Sequence, residues 1–167
     1  IAAVGTLTHL SGDKLLAFGH SFLGLGATPI PLVASRIEAL VPRSHVSFKL
    51  ASTLASVGAV IRDADAGIVG LLGRQAEMVP IHLSLTLPEG KKENFSYEVV
   101  AHPLLTPPLA ALGVQGALSV MEQSLGPQTF EMEGSIRLKN HPTVNLSDLI
   151  ASEDGSREIA QLVSSYL

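Results

Sequence analysis

Six residues of this chain can change protonation near neutral pH as ordinary side chains: His9, His20, His45, His82, His102 and His141. His20 is the best placed for chemistry. It closes Leu16-Ala17-Phe18-Gly19, which reads as the end of a strand, and opens a stretch where Gly24, Gly26, Pro29 and Pro31 mark a loop. A histidine at a strand end beside a loop has the reach of a general base, and its ordinary pKa near ~6.5 suits proton transfer around neutrality. From spacing alone, a buried histidine bonded to a backbone carbonyl is the simpler reading. Ser21 follows His20 directly, and strand alternation sends neighbouring side chains to opposite faces, which argues against Ser21 as its nucleophile. Asp63 and Asp65 flank a turn and read as turn formers. Asp148 reads as a cap or a surface residue, so no catalytic acid is assigned.

Other chemistries find less support. No two histidines stand in an i, i+4 pair, no His-Glu-x-x-His element occurs, and cysteine is absent, so neither a metal site nor a disulfide framework is expected. Gly24-Leu25-Gly26 runs into Ala27-Thr28-Pro29 rather than a helix start or Lys-Ser/Thr, so it reads as a bend shaping the rim beside His20, and no cofactor is expected. With 11 Lys and Arg against 15 Asp and Glu, the formal charge is −4, which argues against a basic nucleic-acid face. Aromatics at 4% are too few for a base-stacking platform. Charged residues make up 16% and apolar ones 46%, a composition that excludes disorder for most of the chain and suggests that something covers part of the surface. No run approaches the ~18 apolar residues of a membrane span.

The elements that would position these residues are mostly strands. The chain from residue 1 to Leu10 and from Leu15 to His20 reads as a hairpin around Ser11-Gly12-Asp13-Lys14. Leu32 to Val41 reads as a strand bounded by Pro31 and Pro42. Val46 to Leu50 alternates, Val57 to Arg62 is a second apolar run, and Ile68 to Leu72 returns as its partner. Val79, Ile81, Leu83, Leu85 and Leu87 alternate with polar residues, and Phe95, Tyr97, Val99 and Ala101 answer them across the Pro88–Lys92 turn. Thr106-Pro107-Pro108 predicts a helix start with Thr106 as N-cap. Leu109, Leu112, Gly116, Val120 and Met121 form its expected buried stripe, and Gly126-Pro127 its stop. Thr129 to Leu138 alternates again, and Asp154-Gly155-Ser156 predicts the cap of a last helix over Arg157–Leu167. The expected class is α+β, dominated by β, with one helix in the C-terminal third and one at the C-terminus.

Gly5-Thr6-Leu7-Thr8, a turn, and Leu16-Ala17-Phe18-Gly19-His20 together resemble the SpoIVB peptidase family, the sporulation stage IV B type of serine peptidases. The likeness is greater to bacterial relatives outside sporulation. It continues through Ser47-Phe48-Lys49-Leu50, Val57-Gly58, Arg62-Asp63 and Ala66-Gly67-Ile68-Val69-Gly70. It covers roughly the first 75 residues well, is looser to Ala101, and stops there. The resemblance implies a β-barrel-like peptidase core over 1–102, and the elements read after it make 103–167 an expected C-terminal α+β extension packed on that core. The resemblance gives His20 the role of general base in a Ser-His-Asp arrangement. It also implies a protein or peptide substrate and an extracytoplasmic bacterial setting, with which the absence of cysteine agrees.

The family's nucleophile lies in a Gly-x-Ser-Gly-x-Pro element, and this chain has none. Ser11-Gly12 follows His9-Leu10, Ser21 precedes Phe22, and Ser135 precedes Ile136. In the relatives the serine element lies upstream. Ile1 is not an initiator methionine, so the expectation is a piece that keeps the base, lacks the nucleophile and is inactive alone. A non-catalytic binding or scaffold domain with a peptidase-like fold is the alternative. Expected partners are the rest of the same polypeptide and, for the low-charge region after His102, a neighbouring domain or a second copy.

Overall fold

The computed structural model describes residues 3–45, 47–121 and 127–167. It is β-dominated, with nine strands, two helices and a curled half-barrel sheet among the described residues. The chain forms two compact units: one of residues 1–78 and 100–102, the other of residues 79–99 and 103–167.

The first unit is a five-stranded antiparallel sheet built from β1 (Leu7–Ser11), β2 (Lys14–Ala17), β3 (Ile30–Val41), β4 (Phe48–Ala64) and β5 (Gly67–Leu72). Its order is β1-β2-β5-β4-β3. Gly12 (φ +59°) and Asp13 close the first hairpin, with Ser11 paired to Lys14. Gly12 supplies the positive φ that such a tight turn requires. Leu15 and Ala17 alternate with exposed Lys14 and Leu16, and with Val60 and Ile68 they form the core. Phe18, Phe22, Ile30, Leu32 and Leu72 pack on its margin. One buried face and one wet face are what alternation in an antiparallel sheet produces.

The two apolar runs expected on either side of residues 51–56 are one strand of 17 residues. Its middle, Ser52-Thr53-Leu54-Ala55-Ser56, carries no period because the pairing with β3 slips there: register shifts lie between Leu32 and Val33 and between Val33 and Ser35. A bulge inserts an unpaired residue and turns side chains off the alternation. Only Gly58–Ala64 of β4 also pairs with β5, so the distal part of β3 and β4 is a two-stranded ribbon.

The second unit repeats one pattern twice, a hairpin followed by a helix. β6 (Met78–Thr86) and β7 (Lys92–Val100) precede α1 (Thr106–Met121); β8 (Gln128–Ile136) and β9 (Val144–Ser152) precede α2 (Gly155–Tyr166). The expected alternation on β6 holds, with Ile81, Leu83 and Leu85 half-buried between exposed His82, Ser84 and Thr86. Val114, Leu118 and Ile159 make the core, ringed by Leu83, Leu85, Phe130, Met132, Ile150 and Val163.

Three local expectations shift. Among the described side chains of α1 the buried ones are Ala110, Val114, Ala117 and Leu118, while Leu112 is 49% exposed. The helix is apolar on nearly every side, so its period carries no phase. Of the expected stripe and stop, Gly126 and the side chains of Val120 and Met121 lie outside the described residues, as does Val46. Thr106 is the first helical residue rather than the cap. Pro107 and Pro108 then occupy the first turn, where a missing N–H costs nothing. Leu138 is 51% exposed, because β8 ends at Ile136.

Gly58 sets the closest approach to backbone among the glycines of the first unit: a Cβ there would run into the Leu71 carbonyl of β5, which cannot swing away. Gly58→Ala is expected to cost about 1–3 kcal/mol as overpacking. Gly134→Ala on β8, where a Cβ meets open space, should stay within about 0.5 kcal/mol. Urea unfolding of the two variants checks the contrast.

Candidate functional site

β2 ends at Ala17, and the chain turns out of the sheet through two residues with positive φ, Phe18 (+77°) and Gly19 (+76°). For a bulky side chain this conformation costs roughly 1–3 kcal/mol and persists only where the surroundings enforce it. Two contacts do so. The Phe18 N–H donates to the Thr6 carbonyl at 3.0 Å, and the Phe18 ring packs on the core margin. His20 follows immediately and is exposed. Its ring stands 5.9 Å from that of Phe18, and Phe22 meets the same Phe18 ring edge-on at 6.0 Å. The histidine thus rests against one core-anchored phenylalanine, Phe18, which Phe22 backs.

The His20 Nδ1 lies 2.7 Å from the Ser21 carbonyl oxygen. A carbonyl only accepts, so Nδ1 carries the proton in this contact and Nε2 is left as the acceptor. That is the tautomer in which an exposed imidazole takes a proton at Nε2. Among the described residues no carboxylate forms an ion pair with His20.

Asp63, expected to be a turn former, does something else. It is the last-but-one residue of β4 and is 2% exposed. Its Oδ1 accepts the Phe22 N–H at 2.7 Å, and its Oδ2 accepts those of Leu23 at 2.6 Å and Leu25 at 3.3 Å. Its backbone exchanges two further bonds with Gly26, at 2.7 and 3.0 Å. Gly24 (φ +69°) bends the loop so that these successive N–H groups converge on one point. Converging amides form an anion nest, and here the anion is a side chain of the same chain. Burial pushes the Asp63 carboxyl pKa up, but the N–H donors of Leu23, Phe22, Leu25 and Gly24 outweigh it and hold the pKa below the usual carboxylate range. The carboxylate is thus committed to the loop that follows His20.

The other sequence candidates lie apart from this cluster. Asp65 is exposed in the turn between β4 and β5. Asp148, on β9 in the second unit, accepts its neighbour's Leu149 N–H at 2.9 Å and the Tyr166 hydroxyl at 3.2 Å. His82 Nδ1 lies 3.0 Å from Ser96 Oγ across the exposed face of β6 and β7. Among the described residues no three His, Asp or Glu side chains converge as metal ligands, and no helix is long and apolar enough to cross a membrane. Phe18 and Asp63 are the site residues that sequence reasoning missed. The partners of Asp63 are 38 to 41 residues away, and the available signal was a carboxylate ending an apolar strand opposite a loop with two glycines. Comparison with family models, with curated proteins and with solved structures finds no match.

Because the folded pKa of Asp63 is lowered, its stabilisation is present above the unfolded value of ~3.9 and is lost as pH falls through the folded value. Asp63→Asn should therefore lower the urea midpoint at pH 7, by a cost of at least about 1.5 kcal/mol for charge-assisted bonds. Its stability should also fall less steeply than the parent's between about pH 5 and pH 2. Equal acid slopes in the two proteins would contradict the assignment.

Proposed function

We propose that this chain is the base-bearing part of a SpoIVB-type serine peptidase domain from a bacterial extracytoplasmic protein, acting on a protein or peptide. His20 is its general base. The serine comes from a Gly-x-Ser-Gly-x-Pro element elsewhere in the full polypeptide, since these 167 residues contain no such element. Nε2 of His20 takes the serine proton as Oγ attacks the peptide carbonyl, and the imidazolium returns it to the leaving amine. Water repeats the sequence to release the acyl group. The loop after His20, tied down by Asp63, keeps the base from drifting, and positioning of this kind is a large part of what a catalytic base contributes.

The observation that carries the reading is the His20 Nδ1 bond to the Ser21 carbonyl, which leaves Nε2 exposed and free to accept. Phe18 adds to it, since backbone strain beside a reactive side chain is a mark of functional sites. A second reading, a non-catalytic binding or scaffold domain with a peptidase-like fold, draws on one observation: no described carboxylate pairs with His20.

Fluorophosphonate labelling with intact-mass readout separates the two readings. The full natural polypeptide should take one adduct, and His20→Ala should slow labelling by at least about 10³-fold. The 167-residue chain alone should take none. An unlabelled full polypeptide would establish the scaffold reading. An adduct on the short chain that requires His20 would place the nucleophile inside it and overturn the proposed division of the site.

A further inference from the structure

The ribbon of β3 and β4 is short of a strand. Beyond Gly58, β4 pairs only with β3, and β3 is the last strand of its sheet. Two-stranded antiparallel ribbons are at best marginal in water, and a third strand or a covering element is ordinarily needed. This ribbon is also apolar where it is wet. Ile37 is 45% exposed, Leu40 70%, Phe48 44%, Leu50 54% and Leu54 49%. Cross-strand partners share a face. Val41 pairs with Phe48 and Ala39 with Leu50, while Leu40 pairs with Lys49 and Ile37 with Ala51, so both faces of the ribbon carry exposed apolar side chains. Strands buried on both faces have this composition.

The edge itself carries two charges in a self-complementary order. Between Ile30 and Val41 the charged residues are Arg36 and Glu38, one on each side of Ile37. Arg36 pairs with Ser52 across the ribbon, and the Ser52 hydroxyl donates to the Glu38 carboxylate, which sets Glu38 on the same face as Arg36. An antiparallel strand related by a two-fold axis through Ile37 then puts residue 36 of each copy opposite residue 38 of the other. The register with β4 shifts between Ile37 and Ala39, at Glu38, so the match is confined to residues 36–38, where opposite charges meet twice.

We propose that β3 pairs edge to edge with β3 of a second copy of this chain, antiparallel about Ile37, making a four-stranded ribbon from two. The interface is isologous and closed, so the association stops at a dimer. Charges and a bulge are also devices that guard an edge against pairing. A guard, however, gains nothing from the symmetric Arg-Ile-Glu order, and the two roles respond oppositely to charge reversal.

Sedimentation equilibrium of the 167-residue chain over about 1 to 200 µM tests this, with circular dichroism to verify that each variant folds. The parent chain should dimerise, and more weakly in high salt. Arg36→Glu and Glu38→Arg should each weaken dimerisation at least about tenfold, because each sets like charges opposite one another. The double variant Arg36→Glu/Glu38→Arg should recover to within about threefold of the parent. If a reversal fails to fold, Arg36→Ala and Glu38→Gln, which only remove the pairs, should each weaken the dimer about threefold. A monomer across the whole range, a dimer indifferent to the single reversals, or no recovery in the double variant would each overturn the proposal. The readout is mass and does not depend on whether His20 serves a peptidase.

Discussion

A charged carboxylate at 2% exposure is sustainable only where donors replace its water. Asp63 meets that condition by drawing in the amides of Phe22, Leu23 and Leu25. The consequence runs outward from there. A loop with Gly24 and Gly26 would otherwise sample many conformations at little cost. Held by a fixed anion, it takes one, and Phe22 is thereby delivered to the core margin beside Phe18. His20, lying between those two rings in sequence, is exposed on a segment pinned at both sides. The half-barrel contributes the rigid part, since Asp63 sits at the end of β4 where that strand pairs with β5.

The same sheet shows two regimes. Near the site, β2, β5 and the inner part of β4 bury Leu15, Ala17, Val60 and Ile68, and the alternation is regular. Farther along, β3 and β4 run on as a two-stranded ribbon with no third strand paired to it in the sheet. Strand length there exceeds what the core requires. A composition low in charge and rich in Leu, Val and Ala fits a surface meant to be covered. The second unit, by contrast, closes its own core with two helices and two hairpins, and Tyr97 ties hairpin to helix by donating to the Ala110 carbonyl at 3.0 Å.

Much of this was legible where one face is buried and one is wet. The β6 and β7 hairpin could be read residue by residue because Val79 to Leu87 alternates without a break, and β3 because Pro31 and Pro42 bracket it. Legibility failed where the physical cause was not local. β4 looked like two pieces because bulges remove the period from Ser52 to Ser56. The phase of α1 was hidden because apolar residues surround it. β9 was not singled out, since Asp148 and Asn145 interrupt its apolar pattern. His20 stands out as a candidate from its neighbours Gly19 and the glycine loop. The clamp that positions it was not, because hydrogen bonds between residues 40 apart leave no mark on spacing, and positive φ at Phe18 has no sequence signature at all.

The claim most exposed to refutation is that the Asp63-clamped loop presents His20 with Nδ1 protonated and Nε2 free. Two-bond proton–nitrogen correlation spectra of the histidine rings, recorded above their titration range, read this directly. His20 should carry its proton on Nδ1 in the parent chain and lose that preference in Asp63→Ala. A parent His20 protonated on Nε2, or a tautomer unaffected by removal of Asp63, would contradict the account.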